Sequence, residues 1–299
     1  MPPYLASQRR DLAAFVVNGT RARRALVLRL TAAAQADGHT PLVLRTTPGD
    51  GGEGMTRQAI AAGAAVVFAV GGDGTVRACA QELAGTEVPL AIVPLGSANL
   101  TARALRIPAG PAAALTAGLR GVSRRIDLAS ADGVICAAMA GIGLDAAVVG
   151  ATSDRLKRRA GWPAYAAASA SLLLARPTEF AIRLDDGPPM IRRARSVFVG
   201  NCGLLPGGFP ILPDARLDDG VLDVGILAPA GMPGWVSVGY RCVLGSRRDD
   251  SQLERRQARY VEIHAAAPLP RQADGEVIGQ GDTLSVRVLP GAMRVMVPR

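Results

Sequence analysis

Lysine is nearly absent from this chain: Lys157 stands alone, and the rest of the 34 basic residues are arginines. That absence excludes two large classes. A Walker loop needs lysine in GxxxxGK[ST], and a protein kinase needs a strand lysine on its nucleotide. Neither can be built here. Phosphate contacts would have to come from backbone N–H groups, hydroxyls and arginines. Histidine is as scarce, with only His39 and His264. That leaves little for a histidine-based nucleophile or metal site and hands acid–base work to carboxylates. Cys79, Cys136, Cys202 and Cys242 are scattered with no CxxC pair. They read as buried free thiols, not as a zinc knuckle or redox pair. Aromatic residues make up 4% of the chain and form no stacking pattern, which argues against a nucleic-acid partner. No apolar run approaches the ~20 residues of a membrane span. The longest, Ala164 to Ala175, is short and rich in alanine and serine. The first residues, Met1-Pro2-Pro3-Tyr4-Leu5, lack the basic-then-apolar order of a secretory leader. The expectation is a soluble, cytoplasmic protein.

What is present is ample for two globular domains: 299 residues, 49% hydrophobic and 20% charged. A net charge of +9 gives a surface attractive to nucleic acid, anionic membranes or anionic substrates. Over residues 1–125, apolar strands alternate with helical periodicity. Strands read at Asp11–Val17, Leu42–Leu44, Ala64–Val70 and Pro89–Val93, and helices at Thr20–Ala36, Met55–Ala62, Val76–Leu83 and Pro111–Leu119. That order predicts a parallel, doubly wound α/β sheet, with ligands beyond the carboxyl ends of its strands. The texture changes near Ser123–Asp127. Short β-like runs follow at Val134–Met139, Phe180–Leu184, Ser196–Val199, Leu222–Ile226, Arg259–Ile263, Thr283–Val288 and Arg294–Val297. One helix interrupts them at Trp162–Ala175. The pattern suggests an all-β sandwich or barrel.

Gly71-Gly72-Asp73-Gly74-Thr75 is the strongest motif, lying between an apolar strand and a helix. A glycine loop opening a helix surrounds an anion with N–H groups. Asp73 is the anomaly, a carboxylate where phosphate would sit. Pro94-Leu95-Gly96-Ser97-Ala98-Asn99 is a second loop at an adjacent strand end, and the two could line one nucleotide cleft. By itself it reads equally as a turn with Ser97 and Asn99 as helix caps. Asn18-Gly19-Thr20 reads first as a cap of its helix by Thr20, and Thr46–Asp50 as a plain loop. In the second half, Asp218, Asp219 and Asp223 fit either an Asp-Gly turn or a hard-cation site. Asp274-Gly275-Glu276 fits either a hairpin turn or a carboxylate pair poised to take a proton. Arg155, Lys157, Arg158 and Arg159 read as a solvated face, or as a seat on an anionic bilayer. Arg192, Arg193 and Arg195 read as surface charge.

Taken together, Gly71–Val76, Pro94–Asn99 with Ala102-Arg103, Asp218–Asp223 and Asp274–Glu276 resemble the bacterial lipid kinases of the diacylglycerol kinase catalytic-domain family, which includes sphingosine kinases. The resemblance spans nearly the whole chain in family order. It implies an α/β nucleotide-binding domain like that of NAD kinases and phosphofructokinases over residues 1–125, completed by 290–299. A β-sandwich lipid-substrate domain over 126–289 would follow. It implies ATP between the domains, its phosphates held by Gly71, Gly72, Asp73, Gly74, Thr75, Val76, Arg77, Gly96, Ser97 and Asn99, with Asn18 and Thr46 nearby. Glu276 with Asp274 would deprotonate the lipid hydroxyl, and Asp73 would be a metal-linked or catalytic carboxylate. Asp219 and the carbonyls of Arg216 and Val221 would hold Mg²⁺. The implied protein meets its lipid at a membrane surface, as a peripheral cytoplasmic enzyme of phospholipid metabolism, with a homodimer left open. Two positions depart from the family pattern: the first loop lacks its proline and second glycine, and Leu100 stands where many bacterial relatives have aspartate. An NAD-kinase-like enzyme, or a non-catalytic lipid- or nucleotide-binding protein of the same fold, are the alternatives.

Overall fold

A computed structural model describes residues 11–143 and 176–299. The expected helix at 162–175 and the basic run at 155–159 lie outside the described residues. Two compact units separate along the chain. One holds residues up to Leu128 with Pro206–Gly208 and Pro290–Arg299, and the other holds the remainder.

The first unit alternates β1 (Leu12–Val17), α1 (Arg24–Ala36), β2 (Thr40–Arg45), α2 (Glu53–Ala61), β3 (Val66–Gly71), α3 (Asp73–Leu83), β4 (Leu90–Pro94), α4 (Leu100–Ala104) and α5 (Pro111–Arg120). The strands are parallel in the order β2-β1-β3-β4. This is the doubly wound arrangement, whose order reverses between β1 and β3 and opens a crevice at their carboxyl ends. Every residue of β3 and β4 is buried, as strands covered on both faces must be. Phe15 and Phe68 stack at 4.8 Å within that core. Gly118 lets α5 approach the sheet, because a Cβ there would collide with the Phe68 ring. Val295 pairs in parallel with Leu90, and Gly291 N–H donates to Asp127 Oδ1 at 2.7 Å, tying the C-terminal residues into this unit.

β5 (Val122–Ala131) leads into the second unit. There follow β6 (Val134–Cys136), β7 (Met139–Gly143), β8 (Thr178–Leu184), β9 (Met190–Ala194), β10 (Ser196–Gly200), β11 (Leu222–Leu227), α6 (Gly231–Leu244), β12 (Leu253–Ala258), β13 (Tyr260–Ala273) and β14 (Glu276–Val297). The antiparallel order is β12-β11-β10-β7-β13-β14. β13 pairs β8 through Val261–Ala265 and β7 through Arg271–Ala273, with a bulge between, so one strand serves two sections of sheet. The sandwich-like core between them is built from Ile142, Phe180, Val199, Leu222, Ile263 and Leu284, among others.

The structure departs from the sequence expectations at several points. α1 starts at Arg24, not Thr20, because residues 18–21 form a turn around the Asn18 side chain. Thr20 is therefore no helix cap; its hydroxyl donates to Asn18 Oδ1 at 2.9 Å. α3 starts at Asp73, three residues before the apolar periodicity begins. The strand expected over 134–139 is broken at Ala137 and Ala138, whose N–H groups are taken by Asp274. α6 was not legible at all, since a Gly-Met-Pro-Gly start lacks any helix-start signal. Arg195 is no surface charge: it is partly buried, with Nε donating to the Pro229 carbonyl at 3.1 Å. The four cysteines are buried free thiols, and burial pushes that of Cys79 up to about 12.

Candidate active site

In the first unit, loops leave the carboxyl ends of all four strands, and hydrogen bonds join them. Asn18 N–H donates to Val70 O at 2.9 Å, and Asn18 Nδ2 to Thr75 Oγ1 at 3.2 Å. Gly19 N–H donates to Thr46 Oγ1 at 3.2 Å, and Leu95 N–H to Gly71 O at 2.7 Å. Asn18 thus braces the glycine loop, and Thr46 braces the turn that holds Asn18. Asp50, which ended the plain loop, caps α2 by accepting from Gly52 and Gly54.

The two glycine loops meet backbone to backbone. A Cβ on Gly96 would lie 2.7 Å from Gly72 Cα and 2.6 Å from Asn99 Oδ1. Gly71 is required for another reason: the Thr75 side chain folds back over it, where a Cβ would collide. Asn99 does not reach outward. Its Oδ1 accepts from Gly96 N–H at 2.9 Å and its Nδ2 donates to Gly96 O at 2.8 Å, so the side chain closes its own loop. Ser97 is left exposed at the tip.

The placement of Asp73 resolves its anomaly. It is the first residue of α3, and Gly72 before it offers no side-chain cap. A carboxylate there could occupy the helix's own anion site. Instead Oδ1 accepts from Leu100 N–H at 2.7 Å, with further backbone bonds from Asn99 and Thr101. Burial pushes the pKa of Asp73 up, and these bonds pull it back. Asp73 therefore caps α4 across the gap between the loops; its carboxylate also meets its own N–H, the first of α3, and leaves the next two, of Gly74 and Thr75, at the positive helix end. Val76 is buried and its N–H bonds to Gly72 O, so it has no donor for a ligand. Thr75 is buried too, while Arg77 is half-buried.

In the second unit the hairpin between β13 and β14 turns on Asp274 and Gly275, with φ of 48° and 79°. Two positive φ values suit the twist of a two-residue hairpin. Residues 274 and 276 are not an equivalent pair. Asp274 is buried, and its carboxylate accepts from Ala137, Ala138 and Met139 N–H at 2.8, 2.9 and 2.9 Å. Its own N–H donates to Met139 O at 2.8 Å. Glu276 is exposed. Gln272 Oε1 accepts from Gly275 N–H at 2.9 Å and stiffens the turn. The sequence could not reveal the alanine amides that hold Asp274, because backbone donors leave no mark on residue identity.

Residues 214–223, the loop into β11 and the strand's start, hold three environments. Asp219 is exposed, and its Oδ1 accepts from Val221 N–H at 3.3 Å. Arg216 Nε lies 3.8 Å from Asp218 Oδ1. Asp223 is buried; Oδ1 accepts from Gln257 Nε2 at 3.2 Å and Oδ2 has no partner. Its pKa is pushed up to about 6, first by burial and further by the charges of Asp219 and Asp214. Among the described residues, no three His, Cys, Asp or Glu side chains converge on a metal position. One more polar group escaped the sequence reading. Asn201, just past β10, is buried with neither side-chain amide atom partnered.

Known proteins resemble this chain over nearly its whole length. Residues 13–131 match the Diacylglycerol kinase catalytic domain family, and residues 138–297 match the YegS C-terminal NAD kinase beta sandwich-like domain. A protein of Pseudomonas aeruginosa (strain UCBPP-PA14) named "Probable lipid kinase YegS-like" is 36% identical, covering 97% of this chain and 95% of its own. One of the same name from Pseudomonas fluorescens (strain Pf-5) is 33% identical over 98% and 96%. A crystal structure of a diacylglycerol kinase from Bacillus anthracis str. Sterne superposes with a TM-score of 0.72 at 21% identity, covering 96% of this chain and 97% of its own. An NAD kinase from Archaeoglobus fulgidus in complex with ATP reaches 0.54 at 13% identity, covering 95% and 93%. Those two show a shared fold. The chain belongs to the YegS-like lipid kinase family, with a diacylglycerol kinase catalytic domain in its N-terminal half.

Proposed function

We propose that this protein transfers the γ-phosphoryl group of ATP to the hydroxyl of a membrane lipid such as diacylglycerol. The observation that carries the reading is the start of α3, where Asp73 directs its carboxylate to α4 and its own N–H and leaves the N–H groups of Gly74 and Thr75. Phosphoryl transfer depends on positioning and charge neutralisation more than on covalent protein chemistry. The N–H groups of Gly74 and Thr75 would hold phosphate oxygens at the positive helix end, with Ser97 and Arg77 as further donors. Asn18, Thr46, Gly71, Gly72, Gly96 and Asn99 shape the loops rather than touch the ligand through side-chain donors. Mg²⁺ on the phosphates would neutralise charge and polarise the transferred group.

Glu276 would take the proton of the acceptor hydroxyl. The new P–O bond then forms as the bond to the leaving ADP oxygen breaks. Asp274, its oxygens spent on three amides, would position the turn that carries Glu276. A second Mg²⁺ would bind at Asp219 with the carbonyls of Arg216 and Val221, since hard oxygen donors suit it. The unpartnered Asp223 Oδ2, close enough to Asp219 and Asp214 to feel their charge, favours a cation there.

The test is incubation with radiolabelled ATP, a panel of lipid alcohols and NAD. A labelled lipid supports the proposal. Labelled NADP without labelled lipid would replace it with the NAD-kinase-like reading, and no labelled product would favour a binding protein.

A further inference from the structure

α6 has the wrong surface for a helix facing water. Met232, Val236, Tyr240, Val243 and Leu244 recur at i, i+4, i+8, i+11 and i+12, and each is 55–67% exposed. That spacing puts them on one face. The opposite face is used normally: Val238 and Cys242 pack with Met139, Phe198 and Leu253. The exposed stripe is extended at the helix end. Gly245 sits against Pro210, next to exposed Phe209. Contiguous exposed apolar surface of this kind marks an interaction site.

The chemistry of the patch points to one occupant. Tyr240, one of only four tyrosines in the chain, lies in the exposed stripe, whereas half-buried Trp235 lies toward the packed side. An exposed tyrosine favours the boundary between hydrocarbon and water. The helix carries no acidic residue, and its one charged side chain is Arg241. Exposed Arg247 and Arg248 follow its C-terminal end. Asp214 is paired by Arg247 at 2.8 Å, Asp250 by Arg241 at 2.9 Å and Asp249 by Arg255 at 3.0 Å, so these three acids are neutralised beside the helix. Fourteen residues make about 21 Å of helix, short of the ~30 Å hydrocarbon core. Such a helix lies in a membrane face and does not cross it.

We propose that α6 and Phe209 dock the protein on an anionic lipid bilayer, apolar side chains in the acyl boundary and arginines at the headgroups. This rests on the lipid-kinase reading and adds the surface through which the enzyme meets its substrate. The test is flotation with vesicles of phosphatidylcholine and phosphatidylglycerol. A Val236→Glu/Tyr240→Glu double variant is compared with wild type and with Ile191→Glu, which alters an exposed apolar residue on β9. Expected is a fall of at least tenfold in vesicle partitioning for the double variant alone, with melting temperature retained. Its activity on detergent-solubilised lipid in mixed micelles stays at the wild-type level. Unchanged partitioning of the double variant, or no partitioning by wild type, overturns the proposal. So does a dimer of wild type that the double variant dissolves while still binding vesicles, which would assign the face to a second copy. Partitioning that depends on α6 in a protein that phosphorylates no lipid would leave the docking surface standing and sink the kinase reading instead.

Discussion

Replacing Asp274 and Glu276 one at a time separates a positioning carboxylate from a base. Asp274→Asn keeps the shape of the side chain and one acceptor oxygen. With Oδ1 retained, the bonds from Ala138 and Met139 at 2.9 Å survive in weakened, uncharged form. The oxygen facing Ala137 at 2.8 Å becomes an NH₂ group, so two donors confront each other in a buried place. An unsatisfied buried donor costs about 1–3 kcal/mol, and neutralising the charge weakens the two remaining bonds. The expected loss is roughly 2–5 kcal/mol, read as a lowered urea midpoint with unchanged slope. Glu276→Gln alters an exposed side chain, so its stability should stay within about 0.5 kcal/mol of wild type. Its kcat for lipid phosphorylation should fall by about two orders of magnitude or more, with little change in the KM for ATP. Wild-type stability in Asp274→Asn would refute the structural role drawn from its three amide bonds. Near-normal kcat in Glu276→Gln would remove it as the base.

Other outcomes follow from distances and burial in the same way. Gly96→Ala should cost nucleotide affinity and a few kcal/mol of stability, because its Cβ would press on Gly72 Cα at 2.7 Å; ATP binding by calorimetry and thermal melting report both. Asp73→Ala should lower kcat and also destabilise the fold by about 0.5–2 kcal/mol through loss of the α4 cap, so a loss of activity with wild-type stability would contradict the capping bond to Leu100. For Asp223 the folded pKa of about 6 lies above the ordinary 3.8, so its protonated form contributes stability that is full below about 3.8 and lost as pH rises through about 6. That shift corresponds to about 3 kcal/mol. Asp223→Asn should therefore raise stability at pH 8 in EDTA while leaving pH 4 little changed, and equal melting shifts at both pH values would refute it.

The β-α alternation of the first half was legible because strands buried on both faces are continuous apolar runs, as at Val66–Val70 and Leu90–Val93. Element starts were less legible. Apolar periodicity reports the packed face of a helix, so it pointed to Val76 and missed the first turn at Asp73. It also ran α1 back to Thr20, where the Asn18 side chain organises a turn instead. The second half was harder, since short strands look alike and α6 opens without a cap signal. Its stripe of exposed apolar residues is also the opposite of what a search for buried faces expects.

The sequence by itself determined what chemistry it can offer: without lysine loops or histidine clusters, it offers glycine-loop amides for phosphate and carboxylates for protons. It also determined the family, through motifs whose residue types are needed for those tasks. What only the tertiary structure decided is how each carboxylate is spent. Asp73 reaches across to cap α4, and Asp274 sinks into the amides of Ala137, Ala138 and Met139. Asp223 is buried with one oxygen bare, and Glu276 is left to solvent. The reason is physical. A carboxylate's role depends on its desolvation and on which donors reach it, and those donors are mostly backbone N–H groups brought near by strand pairing and turns. Residue identity carries no record of them.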